Sequence, residues 1–185
     1  MGLTFDTPGK DNTKQILEIL KESVARHEVQ QIVVASTYGD TGLAVAHLFH
    51  NTDVSVVVVT HNTGFKEPGR IEMTPDTRHA IESLGARIHT GTMPFRSLGT
   101  AIKDKIAYSQ QDLVAHTLRL FGQGIKVCVE IAMMAADAGL ITPDDILSVA
   151  GTARGADTLA LISPQSSNRF FDIKVREILA KPTHW

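Results

Sequence analysis

The chain has 185 residues, a formal net charge of −2 and one cysteine, so it is long enough for a hydrophobic core and has no internal disulfide. Because Lys and Arg form no cluster, the composition argues against a nucleic-acid partner or an anionic membrane surface. The first residues lack the basic and apolar regions of a secretory signal, and a single thiol is typical of a reducing compartment, so we expect a cytoplasmic protein. No repeat or linker divides the sequence, which predicts one domain over residues 1–185.

Helical and strand patterns alternate along the chain, with apolar residues at helical spacing in some segments and β-branched runs in others. The predicted helices cover residues 14–27, 41–51, 76–84, 97–105, 112–121 and 125–138. The predicted strands cover residues 32–35, 54–60, 87–90, 146–150 and 158–162. The segment 171–179 favours a last edge strand and leaves a short helix open. This alternation predicts an α/β fold, with three α/β/α layers around a mostly parallel central sheet.

The turn over residues 36–42 follows the first predicted strand and leads into a helix. It is composed of Ser36, Thr37, Tyr38, Gly39, Asp40, Thr41 and Gly42. The first N–H groups of a helix lie at the positive end of its dipole, and glycine lets the backbone approach an oxyanion, so the turn is a candidate phosphate site. The alternative is a plain turn in which Asp40 or Thr41 caps the helix. The Asp40 carboxylate disfavours a highly charged ligand.

A second glycine-rich loop follows the strand over residues 146–150 and contains Gly151, Thr152, Arg154 and Gly155. The Arg154 guanidinium can donate two hydrogen bonds to a phosphate. The alternative is a tight turn with a surface ion pair between Arg154 and Asp157. Because both glycine-rich turns follow strands, we expect them at the same edge of the sheet.

A long connection over residues 61–75 leaves the same edge, and long connections in compact domains are often functional. Its first residues, His61, Thr63, Gly64 and Phe65, and the preceding Thr60 are candidates for ligand contact. This connection could close over a ligand, with His61 as the base if the protein is an enzyme.

A glycine pair, Gly122 and Gly124, precedes the helix that carries Lys126 and Glu130 on one face. One interpretation is a solvated ladder of charges, and the other places Lys126 over the ligand. The histidines have no metal-ligand spacing, so no metal site is predicted. No Ser-His-Asp or Cys-His pattern indicates a nucleophile.

Residues 32–42 and 54–62 resemble the C-terminal α/β domain of pyruvate kinase, in which the equivalent turn holds a phosphate of an allosteric sugar bisphosphate. Thr37 and Asp40 stand where that domain often has basic residues, which disfavours a bisphosphate here. The whole chain more closely resembles a family of stand-alone, mostly uncharacterised proteins similar to that domain. The matching segments are residues 8–9, 12–13, 36–42, 63–65, 67–69, 122–127, 135–139, 150–157 and 180–182.

The resemblance implies a pyruvate kinase C-terminal domain-like fold and a flavin mononucleotide (FMN) site. The phosphate would lie in the turn over residues 36–42, and the ring would lie toward the later glycine loops. The resulting candidate cofactor-binding residues are Ser36, Thr37, Tyr38, Gly39, Asp40, Thr41, Gly42, Thr60, His61, Thr63, Gly64, Phe65, Gly124, Lys126, Gly151, Thr152, Arg154 and Gly155.

Pyruvate kinase activity is not expected, because its chemistry belongs to a separate barrel. Three functions stay open. The first is an FMN-binding protein, with a flavin-dependent oxidoreductase as the enzyme class, and the second is a non-catalytic module that senses a phosphorylated metabolite. The third is an enzyme that acts on a phosphorylated substrate in the turn over residues 36–42. The expected partner is therefore a phosphorylated small molecule. A homo-oligomer is neither indicated nor excluded by the sequence.

Overall fold

The computed structural model describes residues 2–185, in which seven strands form one sheet with helices on both faces. The strands are β1 (Leu3–Phe5), β2 (Gln31–Ala35), β3 (Ser55–Val59), β4 (Arg87–His89), β5 (Ile146–Ala150), β6 (Thr158–Ser163) and β7 (Lys174–Pro182). The helices are α1 (Thr13–His27), α2 (Asp40–Phe49), α3 (Pro75–Ser83), α4 (Ser97–Ile106), α5 (Gln110–Arg119) and α6 (Gln123–Asp137). Short 3₁₀ helices cover Lys10–Asn12 and Ser167–Asp172.

The strand order is β1-β7-β6-β5-β2-β3-β4, and β6 alone runs opposite to the other six strands. The carboxyl ends of β2, β3 and β5 therefore meet at one edge, and the loop from β5 to β6 begins there as well. This edge is where open α/β sheets bind ligands.

Alternate residues of the central strands face two separate hydrophobic cores. Val34 and Val58 face the layer formed by α1, α2 and α3, whereas Val33 and Val57 face α6. The predicted three-layer α/β fold with a mostly parallel sheet is thus confirmed. Between residues 2 and 185, no helix is both long enough and apolar enough to cross a bilayer.

The predicted helices and the first five predicted strands are all present, with ends that differ by at most two residues. The edge assignment of the segment 171–179 is wrong. Its strand, β7, begins at Lys174 and lies between β6 and β1, and residues 171–172 belong to the 3₁₀ helix. The unpredicted β1 has only three residues, too few for a periodic pattern, and it pairs in parallel with residues 180–182.

Candidate functional site

The turn over residues 36–42 joins the carboxyl end of β2 to the first residue of α2. The Ser36 hydroxyl accepts a hydrogen bond from the N–H of Gly42 at 3.0 Å, which closes the turn. Gly39 precedes α2 with a φ of 101°, a left-handed conformation, and a Cβ there would lie 2.2 Å from Cγ2 of Thr77. Glycine is therefore required at this position by both conformation and space.

The first amides of α2 are free to bind an acceptor. Gly39 occupies the cap position, and no side chain caps the helix, so the alternative of a cap by Asp40 or Thr41 is wrong. Within residues 2–185, the N–H groups of Asp40 and Thr41 donate to no acceptor. They lie at the positive end of the helix dipole, where an anion is stabilised.

The loop between β5 and β6 is fixed by Asp157, which is fully buried. Its carboxylate accepts hydrogen bonds from the N–H groups of Gly9 (2.8 Å) and Thr152 (2.9 Å) and from the hydroxyl of Thr158 (2.7 Å). The predicted alternative, a surface pair between Arg154 and Asp157, is therefore wrong, because Asp157 points inward. Arg154 pairs instead with Asp40.

The Arg154–Asp40 pair connects the two glycine-rich turns across the sheet edge. Both side chains are more than half exposed, at 57% and 56%, so the pair contributes little to stability and can exchange partners. The Arg154 guanidinium also lies 4.5 Å from the ring centroid of Tyr38. Lys66, from the connection over residues 61–74, hydrogen-bonds the Tyr38 hydroxyl and lies 5.0 Å from the ring centroid. The connection thus reaches across to the turn.

A cleft of about 200 Å³ lies between these elements. It is lined by Ala35, Ser36, Thr37, Tyr38, Asp40, Thr41, His61, Arg96, Gln123, Val127, Gly151, Ala153, Arg154 and Gly155. A smaller inner cavity of about 90 Å³ shares part of this lining and extends toward α6. Its further lining includes Thr60, Met93, Lys126 and Glu130.

Lys126 and Glu130 form an ion pair beside the inner cavity, with side chains only 3% and 5% exposed. The predicted solvated ladder is wrong, because α6 packs on the sheet with one face and under α5 and the Phe95 segment with the other. The second carboxylate oxygen of Glu130 accepts the N–H of Phe95 at 2.8 Å. Burial lowers the pKa of Lys126, and the Glu130 carboxylate opposes this shift.

His61 follows β3 and lies between the cleft and the inner cavity. Its ring packs on Phe65 with 4.0 Å between centroids, and its Nδ1 atom is buried without a hydrogen-bond partner in the described part of the chain. Burial lowers the pKa of His61, while the Glu72 carboxylate opposes that shift. The neutral imidazole is therefore the favoured form near pH 7.

The structure brings many of the sequence-predicted residues to one place. Those that line the cleft or the inner cavity are Ser36, Thr37, Tyr38, Asp40, Thr41, Thr60, His61, Lys126, Gly151, Arg154 and Gly155. The others predicted, which line neither, are Gly39, Gly42, Thr63, Gly64, Phe65, Gly124 and Thr152.

Several of these other residues have a role in packing. Gly42 packs against Val58, where a Cβ would lie 2.7 Å from Cγ1. Gly124 lies so close to Thr158 that a Cβ would be 1.9 Å from its Oγ1 atom. Phe65 supports the ring of His61. These residues do not line the cleft, but they pack behind residues of the surrounding elements and hold them in place.

Sequence reasoning missed Arg96, Gln123, Val127 and Ala153, all of which line the cleft. Arg96 follows residues 91–94, which leave the carboxyl end of β4 at this same edge of the sheet. A cation shortly after a loop that follows a predicted strand was the available signal for it.

A larger cavity, of about 590 Å³, lies at the opposite edge of the sheet. Its lining includes residues at the amino ends of strands, such as Gln31, Ser55 and Arg87, and none of the predicted site residues. The edge with the cleft is the better candidate, since the free amides of α2 and the carboxyl ends of the parallel strands are there.

No protein-family model matches the chain. Among solved structures, it is similar to a pyruvate kinase from Cryptosporidium parvum, with 12% sequence identity and a TM-score of 0.39. The similarity covers 78% of this chain and 21% of that kinase, so the chain spans about a fifth of its length. A similarity at this level establishes neither a family nor an activity.

Proposed function

We propose that the chain is a cytoplasmic protein that binds a ligand with a single phosphate group, and that FMN is the first candidate ligand. The observation that carries this proposal is the pair of free N–H groups of Asp40 and Thr41 at the start of α2, which opens on the cleft. The hydroxyls of Thr37 and Thr41 add donors beside them. A phosphate there would be stabilised by direct hydrogen bonds and by the helix dipole.

The local charges favour one phosphate over two. Arg154 is a cation of the cleft, and its present partner is the Asp40 carboxylate. A phosphate at the start of α2 would compete with Asp40 for the guanidinium, because phosphate, like a carboxylate, can accept two parallel N–H bonds from arginine. The Asp40 carboxylate would meanwhile repel any second phosphate nearby.

The choice of FMN comes from the sequence resemblance. The N–H groups at the start of α2 would hold its phosphate, and Gln123, Lys126 and the loop over residues 151–155 would lie near its ring and ribityl oxygens. Bound FMN supplies redox chemistry, so a flavin-dependent oxidoreductase is the enzyme class that this reading proposes. The cleft has a volume of about 200 Å³, which is small for a whole FMN. Pockets that bind ligands of that size usually have a volume of at least about 300 Å³. To make room for FMN, the connection over residues 61–74 would have to move outward and break the Lys66–Tyr38 contact.

The cleft volume supports a second candidate function. A small phosphorylated metabolite fits about 200 Å³ without movement of the connection. Under this reading the chain is a non-catalytic module that senses such a metabolite.

Titration of FMN with purified protein tests the proposal, with flavin fluorescence and the visible spectrum as readouts. We expect micromolar binding that inorganic phosphate weakens by competition. Thr41→Val should weaken FMN and phosphate binding together. Asp40→Asn should strengthen phosphate binding a few-fold, because it removes a carboxylate that competes with phosphate for Arg154.

A thermal-shift series with FMN and sugar monophosphates separates the two candidates. If a sugar monophosphate raises the Tm and FMN does not, the sensing function is favoured. If neither FMN, sugar monophosphates nor inorganic phosphate binds at millimolar concentration, the phosphate site itself is excluded.

A further inference from the structure

The inner cavity has more hydrogen-bond donors than the protein satisfies. The Lys126 ammonium has three N–H donors, and one of them is directed to Glu130. Across residues 2–185 its nitrogen has no other acceptor, although the side chain is only 3% exposed. Glu130 uses both oxygens, one for Lys126 and one for the N–H of Phe95. The carboxylate is thus satisfied, while the ammonium has two donors left.

Arg96 adds a second cation at the junction of the cleft and the inner cavity. Its guanidinium lies 4.9 Å from the ring centroid of Phe65. Arg154 and Lys126 are paired with Asp40 and Glu130, but Arg96 has no carboxylate within 4 Å in the portion of the chain described. Arg96 is therefore the cleft cation that is available to a ligand anion.

His61 and the volume of the inner cavity limit the kind of ligand group that could bind there. His61 lines both the cleft and the inner cavity, and its Nδ1 is buried without a partner within the described residues. The cavity of about 90 Å³ has room for about three waters, and hence for a group of about three heavy atoms. A carboxylate has three heavy atoms, is planar, and accepts several hydrogen bonds from cations.

We propose that the inner cavity is a carboxylate subsite, in which Arg96 and Lys126 donate to the two oxygens and His61 lies beside them. The proposal deepens the proposed function and rests on it for the role of the outer cleft. It adds a small organic acid to the proposed function, bound alongside the phosphorylated ligand. Glu130 holds Lys126 in position and is not itself available to the ligand.

Oxalate and inorganic phosphate are the two probes of the test, titrated separately by calorimetry into the full chain at neutral pH. One carboxylate of oxalate would occupy the inner cavity, and the other would extend into the cleft. Wild-type protein should bind oxalate with a Kd in the millimolar range or lower. Arg96→Met should weaken oxalate binding at least about tenfold, as expected for a lost charge-assisted hydrogen bond. Arg96→Lys should recover part of the affinity, since it keeps the charge and loses the fork.

Arg176→Met is the matched control, because it removes an exposed cation that lines neither the cleft nor the inner cavity. It should change the oxalate affinity less than about threefold. The double variant K126M/E130M, which removes the buried pair together, should also lose oxalate binding, and a cooperative unfolding transition will show that it is folded.

Oxalate that fails to bind the wild type at about 10 mM would overturn the subsite and indicate that water satisfies the donors. Equal weakening by Arg96→Met and Arg176→Met would overturn it too, since it would indicate general attraction between charges. Loss of phosphate binding alone would contradict the proposed function and leave the carboxylate subsite standing. The two failures are therefore distinguishable.

Discussion

The Lys126 ammonium is buried, and the Glu130 carboxylate is the one opposite charge that it pairs with in the described residues. Lys126→Met should destabilise the fold by about 3–5 kcal/mol, because it leaves the Glu130 carboxylate buried and unpaired. The double variant K126M/E130M should recover part of this loss and lie about 1–2 kcal/mol below wild type, because no charge is then left unpaired but the buried N–H of Phe95 loses its acceptor. Urea denaturation measures both free energies of unfolding.

Lys105→Met, at an exposed position of α4, is the control and should change stability by less than about 0.5 kcal/mol. An unchanged urea midpoint for Lys126→Met would show that the pair is not an ion pair in the folded protein. The burial of Lys126 and Glu130 could not be predicted from the sequence, because residues four apart on a helix have the same spacing in a solvent-exposed ladder of charges and in a buried ion pair. What buries the pair is the segment around Phe95, which packs on it from about 30 residues away in the chain.

Among the elements, the end of helix α4 and the loop after β5 each have an alanine in the left-handed region. Ala107 follows α4 with a φ of 59°, and Ala153 has a φ of 73°. Glycine at either position should stabilise the fold by about 0.5 kcal/mol, because the left-handed strain of about 1–2 kcal/mol exceeds the added freedom of the unfolded chain. Thermal unfolding of Ala107→Gly and Ala153→Gly checks this expectation.

Ala156→Gly serves as the matched control, since Ala156 is fully buried and does not have a positive φ. It should destabilise the protein by about 1 kcal/mol through lost packing and greater chain freedom. A lower Tm for both Ala107→Gly and Ala153→Gly would show that neither turn is strained.

Elements that carry their own periodic pattern were predictable from the sequence, as α6 and β3 illustrate. The three-residue β1 was not, because its pairing with β7 is decided by contacts from the other end of the chain. The error at β7 followed from this omission, since a strand is an edge only when no neighbour covers it. Local pattern therefore predicts elements, and pairing between distant segments decides their order.

For the molecule as a whole, the sequence predicted two glycine-rich turns at one edge, and the strand order brings them into contact. Because β5 lies beside β2, Arg154 reaches Asp40 from 114 residues away. The sequence did not supply that adjacency, and hence it paired Arg154 with the nearer Asp157. Arg96 was missed for the same reason, since its place depends on how its loop crosses the edge.

Stability of the whole protein should decrease as the pH falls below about 6.5, the ordinary pKa of histidine. Burial lowers the pKa of His61, against the opposing carboxylate of Glu72, and burial also lowers the pKa of His89, against that of Asp137. Between the lowered folded value and 6.5, the unfolded chain binds more protons than the folded one. The free energy of unfolding therefore rises with pH across this window and is lost as the pH falls through it.

Urea denaturation at pH 7.5 and pH 5.5 tests this expectation, since the two values bracket the ordinary histidine pKa of about 6.5. Wild-type protein should unfold at a lower urea concentration at pH 5.5, and the double variant H61N/H89N should show a smaller difference between the two pH values. Asparagine binds no proton in either state, so the two histidines no longer contribute to the slope. His184→Asn, at an exposed position, should keep the wild-type difference. An unchanged difference in H61N/H89N would mean that other groups set the pH dependence and that the imidazole of His61 is not held neutral in the cleft.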